Sequence, residues 1–153
     1  MKEHVLSREQ LLSCPPDDVF EFFSRAENLQ RIAPAFLRFQ VVGMPDRIEA
    51  ESQLDYKFRL FFIPFRWRTR IRSFDRPRGF TDAAEAGPFK AWHHVHEFKA
   101  VETGTLMRDV VTYRMPYGPI GALVHPFVRR TLDRIFDYRA EVMADHFVAA
   151  PDA

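Results

Sequence analysis

Trp92, His93, His94, Val95, His96 and Glu97 form the densest run of aromatic and titratable side chains in the 153-residue chain. Alternation at period two places Trp92, His94, His96 and Phe98 on one face of a predicted strand. Two imidazoles on an aromatic face can orient a ligand, move a proton near neutral pH, or ligate a metal. If that face is interior, each imidazole needs a partner, because an unpaired buried polar group costs about 1–3 kcal/mol. A second alternating run supplies one: Thr105, Met107, Asp109, Val111 and Tyr113 share a face. Folding the two runs about Val101-Glu102-Thr103-Gly104 pairs Phe98 with Met107, His96 with Asp109, His94 with Val111 and Trp92 with Tyr113. A slip of two residues would give Asp109 to His94 and leave the chemistry one rung over.

Three readings of this constellation stay open. It is a satisfied internal network that fixes strand register, a set of polar contacts for a ligand, or an acid-base group in which Tyr113 supplies a second proton. His94, His96 and Asp109 also have metal-ligand spacing, but no second dense cluster of His or Cys accompanies them, so no metal or other cofactor is predicted. Cys14, alone at a strand end, reads as packing rather than as a nucleophile.

The elements that must hold these residues can be read in order. Residues 3 to 13 form a strand that ends at Cys14-Pro15-Pro16, and Asp17-Asp18 after the prolines start a short helix through Phe23. Asn28 is expected to cap a second short turn that Pro34 ends. Residues 37 to 42 read as a strand and residues 48 to 62 as an extended run, in which Leu54, Tyr56, Phe58, Leu60 and Phe62 share a face. Beyond a tight connection at Ile63-Pro64, Phe65, Trp67, Thr69 and Ile71 face inward while Arg66, Arg68, Arg70 and Arg72 face out. A further strand covers residues 80 to 86, giving six or seven antiparallel strands in all. Helical spacing then takes over at Val124, Val128, Thr131, Ile135, Tyr138 and Val142, with a kink or restart expected at Pro126 and a straight portion to Phe147.

Length suits one domain, assigned to residues 1 to 148, with 149 to 153 as a disordered tail. A net charge of +1, from 22 basic and 21 acidic residues, argues against a general nucleic-acid binder. The outward arginines, beside Lys57 and Arg59, read as a solvated face neutralised by Asp55, Asp82 and Glu85. Peripheral contact with anionic headgroups through Arg66, Arg68 and Arg70 is the alternative use of that face. A single cysteine fits a reducing compartment, and no apolar run reaches the roughly 18 residues that span a bilayer, so a cytoplasmic location without integral membrane association is expected.

Strand, two short helices, antiparallel strands and one long terminal helix make an α+β arrangement. This order resembles the helix-grip fold of the START and polyketide-cyclase (SRPBCC) superfamily. The resemblance is carried by Pro15-Pro16-Asp17-Asp18-Val19-Phe20, Gly87-Pro88-Phe89 with Trp92-x-His94-x-His96-x-Phe98, Thr105-x-Met107-x-Asp109, and Gly118-x-x-Gly121 leading to Ile135-Phe136-x-Tyr138-Arg139. It implies a curved sheet wrapped around the last helix, with a gap between them as the default site. Leu54, Tyr56, Phe58, Leu60, Trp67, Ile71, Trp92, His94, His96, Met107, Asp109, Tyr113, Ile135, Tyr138 and Val142 are predicted to line that gap. The expected function is binding or carriage of a hydrophobic or aromatic small molecule or lipid. The alternatives are a cyclase or dehydratase that uses His96, Asp109 and Tyr113 as acid-base groups, and a protein-interaction module that uses the basic strand face.

Overall fold

The first strand, β1 (Glu3–Leu12), ends where Pro15 and Pro16 cannot extend a ladder, and the chain turns into α1 (Pro16–Phe23) with Asp17 and Asp18 in its first turn. The computed structural model describes residues 2–147. Next come α2 (Ala26–Arg31) and a single 3-10 turn (Ala35–Leu37). Six strands follow: β2 (Gln40–Gly43), β3 (Gln53–Leu60), β4 (Ile63–Asp75), β5 (Gly79–Ala86), β6 (Ala91–Val101) and β7 (Gly104–Arg114). The long helix α3 (Gly118–His146) completes the fold.

All seven strands form one antiparallel sheet in the order β1-β7-β6-β5-β4-β3-β2. Consecutive strands are therefore hairpin neighbours except at one step, where α1 and α2 carry the chain from one sheet edge to the other. The architecture is the helix-grip arrangement expected from the sequence. The β6–β7 register also agrees residue for residue, with His96 opposite Asp109, although the turn itself is only Glu102-Thr103.

Several local expectations need correction. Asn28 lies inside α2 rather than capping it, and its buried side chain donates through Nδ2 to the Phe22 carbonyl at 3.1 Å, tying α2 to α1. Residues 35 to 37 coil before β2 begins, because Pro34 initiates a 3-10 turn. The β3–β4 turn is Phe61-Phe62, and Ile63 and Pro64 already belong to β4. Pro126 does not restart α3, which is continuous over 29 residues. The expected disordered tail lies outside the described residues.

The core has two parts. Val19, Phe20, Phe22 and Phe23 of α1 pack with Phe80, Phe98, Met107 and Met143 near one end of the sheet. Leu6, Val111 and Tyr113 of the β1–β7 pair pack with Leu132 and Phe136 of α3. Helix α3 thus lies over β1 and β7, while the curved β3–β6 portion stands away from it and leaves a gap.

Candidate functional site

The gap is an open cavity of about 250 Å³. Its walls come from β3 (Leu54, Tyr56, Phe58, Leu60), β4 (Trp67, Ile71), α2 and its flanks (Leu29, Ile32, Leu37) and α3 (Val128, Ile135, Phe136). Strand alternation explains the β3 and β4 contributions, since every second side chain meets the concave face. Of the residues predicted to line the gap, Leu54, Tyr56, Phe58, Leu60, Trp67, Ile71, Trp92, His94, His96 and Ile135 do so.

The other five are placed elsewhere. Tyr113 is fully buried, but it lies under α3, where its hydroxyl bonds His125 Nε2 at 2.8 Å, so it cannot act at the cavity. Met107 packs in the α1 core for the same reason: β7 runs beneath a helix rather than beside the gap. The buried stripe of α3 runs through Leu132, Phe136, Arg139 and Met143, which leaves Tyr138 exposed and turns Val142 toward the α1 core. Asp109 is buried behind the histidines rather than in the cavity wall.

At the polar end of the cavity, five ionisable side chains meet. His94 Nε2 donates to Asp109 Oδ1 at 2.8 Å, and Arg139 Nη2 donates to the same oxygen at 3.1 Å. His96 Nε2 donates to Asp82 Oδ2 at 2.6 Å, while its Nδ1 stands 3.3 Å from Asp109 Oδ1 without hydrogen-bond alignment. The hydroxyl of Thr69 donates to Asp82 Oδ1 or to the Ala83 carbonyl, both at 3.1 Å. The two imidazoles stack with centroids 3.7 Å apart, and Phe80 stacks on the outer face of His96 at 4.1 Å. The guanidinium of Arg139 is sandwiched between Phe23 and Phe136.

The expected pairing is thereby redistributed. Direct cross-strand opposition puts His96 beside Asp109, but the stronger contact of Asp109 goes diagonally to His94, and His96 turns to Asp82. Asp82, expected on the outer face, turns inward because it shares a side with Phe80 and sits opposite His94 in the β5–β6 register. Alternation from Phe80 carries that signal. The two shifts in the β4–β5 register hide it from any count made along the arginine strand. Arg139, a cation on the last helix whose expected partner is a nearby Asp or Glu, is the buried counter-cation of Asp109. Gly79 also positions the site, since at φ 153 a Cβ would collide with the His96 carbonyl oxygen.

Environment splits the two imidazoles. Burial and the neighbouring His96 push His94 down to about 4, so it is neutral at physiological pH. Burial also opposes a charge on His96, but the carboxylates of Asp109 and Asp82 outweigh it and hold its affinity for a proton above the usual value. Asp109 stays ionised against burial because of Arg139 and the two histidines, and Asp82 because of His96. When His96 carries its proton, two carboxylates are balanced by Arg139 and that imidazolium, with no net charge left in the interior.

Residues 12–137 match the family described as polyketide cyclase / dehydrase and lipid transport. The chain belongs to that family. Solved structures agree on the fold. TTHA0849 from Thermus thermophilus has 17% identity and a TM-score of 0.73, over 99% of this chain and 100% of that one. The di-domain ARO/CYC StfQ of the steffimycin biosynthetic pathway has 10% identity and a TM-score of 0.71, covering 92% of this chain and 49% of that one. A nucleoside-diphosphate sugar epimerase from Corynebacterium glutamicum has 24% identity and a TM-score of 0.68, covering 92% of this chain but 28% of that one. No curated protein matches the chain. Within the family's range of activities, a chain's own site chemistry has to decide its function.

Among the described residues, no helix is long and apolar enough to cross a membrane. Asp82, His94 and His96 each place one donor atom within 4.8 Å of the others, but they are already hydrogen-bonded within the network, and the cation of Arg139 adjoins it.

Proposed function

We propose that this family member binds a predominantly hydrophobic, ring-bearing small molecule in the cavity, in the cytoplasm, with one polar group of the ligand against His94, His96 and Asp82. The cavity itself carries this reading: its walls are apolar and aromatic, and its ionisable groups are confined to one end. Neutral His94 uses one nitrogen on Asp109, so its other nitrogen is an acceptor for a phenolic or enolic hydroxyl. Native mass spectrometry of the purified protein should detect a small apolar passenger. In its absence, saturable quenching of Trp67 and Trp92 by added aromatic alcohols is expected. Ile135→Trp, which fills the cavity, should abolish both. Protein that carries no passenger and shows no saturable binding would overturn the proposal.

A second reading rests on the split between the imidazoles. With His96 protonated, the neutral His94 stacked on it completes an acid-base pair whose environments push the two affinities for a proton apart. In a dehydration, His94 would take a proton from the carbon next to a carbonyl, and His96 would give its proton to the departing β-hydroxyl. A carbon-carbon double bond forms and water leaves. Tyr113 has no part in it. Conversion of a β-hydroxy ketone to its enone, lost in His94→Gln while ligand binding persists, would select this reading; binding without turnover would remove it.

A further inference from the structure

Phe61 and Phe62 hold both central positions of the β3–β4 turn at φ 51 and 66. Two successive residues at positive φ make the hairpin geometry that Asn-Gly fills without strain and that aromatic side chains resist. Among the described residues these side chains bury little in return: Phe61 is 62% exposed, Phe62 94% and Ile63 55%. Three adjacent large apolar side chains therefore project from the hairpin tip.

Basic groups surround the base of this hairpin. Arg38, Lys57, Arg59 and Arg66 are exposed and line one surface pocket. Among the described residues, none of the four has a carboxylate within ion-pair distance, whereas Arg68, Arg70 and Arg72 are engaged by Asp55, Glu51 and Glu85. The unpaired cations are thus the ones beside the aromatic tip, and the neutralised ones lie further down the strand.

We propose that the β3–β4 hairpin docks this protein on an anionic lipid bilayer. Phe61, Phe62 and Ile63 enter the boundary between headgroups and acyl chains, while Arg38, Lys57, Arg59 and Arg66 meet lipid phosphates. The fold orients the rest of the molecule suitably. Antiparallel register puts the start of β4, the end of β5, the start of β6 and the end of β7 at one end of the sheet. Helix α3 begins there with Ile120, Leu123 and Phe127 exposed. The cavity wall reaches Leu60, next to Phe61, so a docked molecule presents this end of its cavity to the bilayer. Docking needs no occupant in the cavity and stands whether or not the binding reading holds.

Flotation of the full chain with phosphatidylcholine vesicles, with and without phosphatidylglycerol, tests it. The protein should float with the anionic vesicles and bind neutral ones roughly tenfold less, and raised salt should release it. Phe61→Asn combined with Phe62→Gly should lower binding by about tenfold or more without lowering the melting temperature. The charge reversals Arg59→Glu and Arg66→Glu should also weaken it. Failure of the wild type to float with anionic vesicles would overturn the proposal, as would undiminished flotation of the Asn-Gly variant. A dimer in light scattering that the same two substitutions dissolve would assign the tip to a second copy of the chain and overturn it equally.

Discussion

His94 and His96 sit on the same strand, stacked, yet their protonation runs in opposite directions, and this gives a pH dependence of defined sign. Between about 6.5 and 4 the unfolded chain takes up a proton at residue 94 that the folded protein refuses, so acidification destabilises. At residue 96 the folded affinity is raised, so its contribution is complete below 6.5 and is lost as pH climbs through the folded value. The melting temperature should therefore fall on both sides of a maximum near neutrality. Replacing His94 by Gln should flatten the acid limb selectively, and His96→Gln the alkaline one. Melting curves of the three proteins from pH 4 to 9 check this, and parallel profiles would show that the imidazoles are not the groups responsible. Arg139 donates to the same oxygen of Asp109 as His94 does. Arg139→Met leaves Asp109 buried without its cation and should cost about 3–5 kcal/mol in urea unfolding.

Among the elements, the β3–β4 hairpin is the one whose local sequence disagrees with its conformation. Substituting Asn-Gly for Phe61-Phe62 should relieve the left-handed strain, about 1–2 kcal/mol per residue at most, and raise the melting temperature by several degrees. A lower melting temperature would mean that the aromatic pair packs favourably. This hairpin also shows what could be read in advance. Alternation over residues 54–60 and 65–71 fixes the inward faces of β3 and β4, because a half-buried strand must repeat at period two. The turn between them lies two residues before the expected one, since Ile63-Pro64 reads as a break and Phe61-Phe62 does not. The β6–β7 register was legible for the same reason as the strand faces. Asp82 follows the alternation that starts at Phe80, but register shifts in the β4–β5 pair hide it from a count along the arginine strand, and which carboxylate Arg139 meets depends on the rotation of a helix about its axis. Tyr113 has the expected parity, but parity cannot say whether a concave-face residue meets the gap or the helix.

For the molecule as a whole, the cavity is both a defect in packing and the place where binding would stabilise the fold. Its walls offer little besides apolar contact, so affinity should rise with ligand surface until the space of about 250 Å³ is filled. The ionisable end adds a requirement that apolar contact cannot meet. His94 spends one nitrogen on Asp109, so a ligand that covers its other nitrogen without donating a hydrogen bond leaves that acceptor unpaired, which penalises a ligand lacking a hydroxyl. Naphthol and naphthalene, nearly equal in shape, separate the two contributions. Naphthol should bind roughly tenfold tighter or better, and at 100 times its dissociation constant it should add about 2.7 kcal/mol to the unfolding free energy. In His94→Phe the acceptor is replaced by an apolar ring beside His96 and Asp82, so the preference should shrink or vanish while naphthalene binding persists. Thermal shift and calorimetric titration of both ligands on both proteins measure this. Equal affinities on the wild type would mean that the charged cluster is closed upon itself, holding β5, β6, β7 and α3 in register and taking no part in recognition.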